Sequence, residues 1–173
     1  PAMSLVNPGA FTMEVKGSGF SNNSVVYFNN NARATTFIAD TILNAQILST
    51  DVSVAGNFPV WVSDNSINSD TLIYKVVSTL PQPVRPVLEC VTNNGDGAYT
   101  AFFGYKNENS VSVYIPVGSK NKFTPNPQDR GQTRVFKPGR QIKVYTVNFN
   151  GSNLVWALNG RTSTASSNSA PCN

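Results

Sequence analysis

Histidine is absent from all 173 residues. Its absence removes Ser-His-Asp and Cys-His nucleophile sites, and any zinc site that needs an imidazole. Cysteine appears only twice, at Cys90 and Cys172, too few for a four-thiolate metal site. Charge is scarce as well: Asp, Glu, Lys and Arg make up 13% of the chain. Asn, Ser, Thr and Gly are plentiful instead, a balance that suits β-rich secreted proteins better than helical cytosolic ones. No apolar run approaches the roughly 20 residues a membrane helix needs, and nothing resembles a signal peptide. No helix-length amphipathic stretch appears. The chain therefore reads as all-β, without membrane insertion and with little catalytic equipment.

Hydrophobic residues form 40% of the sequence, enough for real cores, and the length falls between one and two domains. Phe11-Thr12-Met13-Glu14-Val15 alternates apolar and polar side chains, the pattern of a half-buried strand. Further strands are expected at residues 24–28, 34–38, 43–47, 56–62 and 71–77. Short strands about ten residues apart, with polar turns between them, predict an antiparallel sandwich.

The run Phe11 to Phe20, with Ser24-Val25-Val26-Tyr27-Phe28-Asn29, Ala34-Thr35-Thr36-Phe37, Leu43 to Ile47 and Gly56 to Val62, resembles the TIG or IPT family of immunoglobulin-like domains over about residues 4–78. The resemblance implies a fold and no activity, because that fold hosts many functions. In bacteria such domains act as spacers or binding modules of secreted and surface proteins. The leading strand before Gly9 is short for the family. Part of a sheet edge is therefore expected to stay unpaired and to accept a strand from a neighbouring copy. A head-to-tail contact of that kind would propagate as a filament, with the N-terminal residues or Thr162 to Asn173 as donor.

Three prolines in Leu80-Pro81-Gln82-Pro83-Val84-Arg85-Pro86 predict an extended linker. The expected division is residues 1–79, a linker at 80–86, and a second β-sandwich over 87–173. In this second part, strands are expected at 87–91, 99–105, 111–115, 141–149 and 153–158. Asn150-Gly151 should turn the last two into a hairpin, and Trp156, in step with Leu154 and Leu158, should lie in the core. Cys90 and Cys172 stand at the two ends of this part, which predicts a disulfide and an oxidising compartment. The segments Asn94-Gly95-Asp96-Gly97, Phe103 to Asn107, Ile115 to Gly118, Asp129 to Gln132, Phe136 to Arg140 and Asn153 to Trp156 resemble a domain of large bacterial surface and secreted proteins. That resemblance implies location and β architecture, with no chemistry attached.

Charge is unevenly spread. Residues 1–80 hold three basic and five acidic side chains, and residues 81–173 hold ten and four. Five of the basic ones, Lys120, Lys122, Arg130, Arg134 and Lys137, lie in residues 116–139, a connection long enough to carry function or to fold as a structured loop. Arg130, with Asp129 and Gly131, is expected to organise this loop through its planar guanidinium, with Asp129 and Arg130 as an ion pair. Arg130, Arg134, Lys120, Lys122 and Tyr114 are the candidate ligand or interface residues.

Carboxylates that could pair as a glycosidase acid and nucleophile are Glu89, Asp96, Glu108 and Asp129, but Asp96 reads more simply as a turn residue, Glu89 as a strand residue beside a cysteine and Asp129 as an ion-pair residue. The loops at 64–70 and 93–97 are candidate calcium sites, but with two carboxylates and one, where calcium prefers several, they read more simply as turns. No metal and no cofactor are expected. Tyr114, Tyr105 and Trp61 are candidate sugar platforms. The basic loop lacks any nucleic-acid motif, so no nucleic acid is expected as a partner. The expected function is a non-enzymatic extracellular or cell-surface structural or adhesive protein, self-associating as a fibre subunit. The alternative is a module that binds extracellular glycan.

Overall fold

The computed structural model describes residues 2–172. Apart from one 3-10 turn the regular structure is all strand, and the chain divides into two compact units, Pro1–Leu80 and Pro81–Asn173. Among the described residues no helix is long and apolar enough to cross a membrane.

In the first unit the strands are β1 (Met3–Leu5), β2 (Phe11–Lys16), β3 (Val25–Phe28), β4 (Asn31–Ala32), β5 (Thr35–Ala39), β6 (Ile42–Ile47), β7 (Gly56–Asp64), β8 (Ile67–Asn68) and β9 (Leu72–Val77). One sheet runs β1-β9-β7-β3-β4 with β8 on β7, and the other runs β2-β6-β5. β1 is only three residues long and lies parallel to β9, Met3 opposite Lys75. The alternation read from the sequence sends Val26, Phe28, Leu43, Ala45 and Ile47 inward to full burial. Phe28 packs against Phe58 and Tyr74, each ring 5.6 Å away. A single 3-10 turn, Ser49–Val52, is held by the Arg33 guanidinium, whose Nε and Nη2 donate to the two oxygens of Asp51. Both side chains are about nine-tenths buried, so the pairing satisfies two charges that would otherwise be costly to desolvate.

The second unit contains β10 (Val84–Gly95), β11 (Ala98–Asn107), β12 (Val113–Tyr114), β13 (Asn121–Thr124), β14 (Val135–Phe136), β15 (Gly139–Phe149), β16 (Leu154–Leu158) and β17 (Arg161–Ala165). Sheet β10-β11-β15 faces sheet β13-β16-β17, and β12 pairs with β14. Trp156 is fully buried between Phe103 and Phe123, with ring centroids 5.7 Å away in both cases. Cys90 and Cys172 are bonded. The tail also pairs by backbone: Val91 N–H donates to Ala170 O and Cys172 N–H to Val91 O.

Three expectations change here. The linker is shorter than 80–86, because β10 already starts at Val84 and pairs Pro86 with Tyr105. Before that, Gln82 exchanges two hydrogen bonds with the Asn109 side chain. Proline is admitted because it sits on a border strand of its sheet, where the missing N–H costs no ladder bond. Asn150-Gly151 does not close a hairpin: β15 pairs with β11, while β16 pairs with β13 and β17. The turn carries the chain from one sheet to the other, and both strands still face one core. Finally, Thr162 to Cys172 is committed to β17, to the tail pairing and to the disulfide, so it is no strand donor.

Candidate binding site

The long segment between β12 and β15 is organised by buried amides. Asn121, fully buried, donates from Nδ2 to Ile115 O at 3.1 Å and Thr133 O at 2.9 Å, and its Oδ1 accepts the Trp156 indole N–H at 2.9 Å. One side chain thereby links both ends of the loop to the core. Gln132, 3% exposed, donates to Gln128 O at 2.9 Å and accepts the Arg130 backbone N–H at 2.8 Å. Asp129 Oδ1 accepts the Gly131 N–H at 2.9 Å, at a left-handed glycine with φ +82°. These contacts fix the backbone on both sides of Arg130.

The Arg130 guanidinium folds back over its own loop, donating from Nη2 to Pro125 O at 3.1 Å and Asn126 O at 3.3 Å. Its Nε is buried and unpartnered, and so is the nearby Tyr145 hydroxyl. The expected Asp129–Arg130 ion pair is not formed: Asp129 pairs instead with Arg134 at 3.0 Å. A charged side chain held by carbonyls alone keeps its full positive charge. Burial pushes the Tyr145 phenol up to about 12, with the Arg130 charge partly opposing this.

Arg130 forms one wall of a cleft of ≈ 260 Å³. Pro125 and Asn126 lie on its side, and Phe149, Ser152, Asn153 and Leu154 line the remainder. The opposite wall is the sheet-to-sheet turn, where Asn150 Oδ1 accepts the Ser152 N–H at 3.2 Å. Gly151 has φ +83°, and a Cβ there would run into the Tyr99 ring. Only glycine lets the turn lie this close. Phe149 is half-buried, with Tyr99 behind it at 5.7 Å.

The other candidates are not gathered around this cleft. Arg134 is exposed and paired with Asp129, Lys120 lies exposed before β13, and Lys122 sits on β13 beside the inward Asn121 and Phe123. Tyr114 is 8% exposed, and Tyr105 is buried with its hydroxyl accepting the Lys137 N–H, so neither is a sugar platform. Trp61 is half-buried and stacks on Tyr27 at 5.2 Å, with planes 6° apart. Glu89, Glu108 and Asp129 keep to cations. Glu89 takes Arg140 through both oxygens at 2.7 Å, and Glu108 takes Lys106 and Arg85, whose hydrogen bond and charges hold its pKa below the ordinary value. Asp64 accepts hydroxyl hydrogen bonds from Ser21 and Ser24, which lower its pKa. No group of three or more metal-ligating acidic or thiol residues occurs among the described residues.

Residues 3–76 match the sequence profile of the IPT/TIG domain. The first unit is similar to the IPT/TIG domain over that stretch. A solved structure described as the amphioxus IgVJ-C2 molecule aligns over 98% of this chain and 99% of its own, at 9% identity and a TM-score of 0.26. Among curated proteins none matches.

Proposed function

We propose that the chain is a non-enzymatic structural or adhesive part of an extracellular or cell-surface protein. The observation that carries this reading is the pairing of a unit that matches the IPT/TIG profile with a second β unit closed by Cys90–Cys172, since disulfides persist in oxidising compartments. Catalysis has no support in a chain without histidine whose Glu89, Glu108 and Asp129 each face a cation.

Self-association belongs to the same reading. β2 is a border strand of its sheet. Beside it opens an apolar groove of ≈ 140 Å³, lined among others by Met13, Val15, Val60, Leu72 and Ile73. Leu72 is 74% exposed and Ile73 48%, and exposed apolar surface along a sheet border favours strand addition. Sedimentation velocity over rising concentration, with electron microscopy of the same material, tests this. Concentration-dependent oligomers that Leu72→Lys abolishes are expected. A monomer at all concentrations ends the assembly reading.

A further inference from the structure

We propose that the Arg130 cleft binds a single carboxylate-bearing saccharide unit, a uronic acid, at the second unit's turn between β15 and β16. This gives the adhesive reading a ligand class. The cleft's binding is read separately from assembly, so either can fail alone.

The charge argument comes first. Among the described residues, Arg130 has no carboxylate within ion-pair distance, because Asp129 is taken by Arg134. Its Nη2 is satisfied by two carbonyls, while Nη1 makes no hydrogen bond within the chain and Nε has no partner. Neutral carbonyls leave the cation uncompensated, and the free Nη1 N–H groups can donate to a carboxylate oxygen in a charge-assisted bond. Arg130 is also the only charged residue lining the cleft. One cation suits a singly charged group. A polyanionic strand would draw several cations, and the other basic residues of the loop lie elsewhere.

The remaining lining points to a sugar. Among the described residues, the amides of Asn126 and Asn153 and the Ser152 hydroxyl have no hydrogen-bond partner. They offer donors and acceptors that ring hydroxyls can use. Pro125 and Phe149 supply apolar surface for the C–H face of the ring. At ≈ 260 Å³ the cleft is below the roughly 300–1,000 Å³ of drug-sized sites, which suits one ring. The walls are set in advance: Gln132 fixes Arg130 and Gly151 fixes the opposite turn, so little ordering is needed on binding.

The test uses the whole chain, titrated with digalacturonate, its methyl ester and inorganic sulfate while amide NMR shifts are followed. Expected are shifts confined to residues 125–131 and 149–154 with digalacturonate, and at least tenfold weaker binding of the ester and of sulfate. Arg130→Met should abolish binding. Because that change also frees two loop carbonyls, Asn153→Asp is the second variant. Asn153 is exposed and supports nothing in the fold, so the new carboxylate should repel the ligand at least tenfold without moving the melting temperature. Equal binding of the ester, equal binding of sulfate, shifts elsewhere, unchanged binding in Asn153→Asp, or no binding at millimolar concentration would each overturn the proposal.

Discussion

The Tyr145 hydroxyl lies buried beneath the Arg130 loop with no hydrogen-bond partner. A buried polar group left unpaired costs about 1–3 kcal/mol. Tyr145→Phe is therefore expected to leave stability at neutral pH unchanged or to raise it by up to about 1 kcal/mol, contrary to the usual loss on removing a core hydroxyl. Alkaline pH separates the two proteins further. The unfolded chain loses the phenolic proton near the ordinary value of about 10, whereas the folded chain holds it to about 12. Between those values the unfolded state binds fewer protons, so Tyr145's contribution to stability falls as pH rises. Chemical denaturation at several pH values should show this decline in the native protein and a shallower one in Tyr145→Phe. Parallel curves would show that the phenol is not shielded.

Among the elements, β11 shows how a single missing side chain shapes a sheet. β10 bulges at Glu89, and the β11–β15 register shifts between Phe103 and Tyr105, where Ile142 to Val144 oppose Gly104. Glu89 crosses over Gly104 to take the Arg140 guanidinium through both oxygens. A Cβ on Gly104 would overlap the Glu89 carboxylate and the Gln141 carbonyl. The carbonyl is backbone and cannot swing away, so Gly104→Ala should destabilise by about 1–3 kcal/mol, the range for overpacking a filled site. An unchanged urea midpoint would mean that the bulge opens without strain.

The strands were legible wherever alternation was clean, as at β2, β6 and β16. Their partners were not, because the Asn150-Gly151 dipeptide that favours a hairpin also suits a turn between two sheets. In residues 116–139, β13 and β14 were hidden because β13 turns a polar Asn121 inward beside Phe123, which broke the apolar signal. For the cleft, Arg130 stood out in the sequence. Its opposite wall did not, since Phe149 and Asn153 reach it only through the sheet change at Gly151.

For the whole molecule, the Cys90–Cys172 bond spans 82 residues. A loop of that length restricts the unfolded chain by roughly 4–5 kcal/mol in the chain-entropy account. Cys90→Ser with Cys172→Ser is expected to lower the second unit's stability by about that amount. Intact mass before and after reduction reads the bond directly, and two free thiols in air-oxidised protein would contradict it.

The same bond also decides where a mechanical pull travels. Tension entering the second unit at Val84 runs along β10 for a few residues, meets Cys90 and leaves through the sulfur bridge at Cys172. The chain between the cysteines lies outside that path. At about 3.4 Å per residue it holds roughly 280 Å of slack that stretching cannot draw out while the bridge stands. A pull that would unravel the first unit can only loosen a short lead of the second, so the Arg130 cleft keeps its shape under load and would surrender it only after reduction.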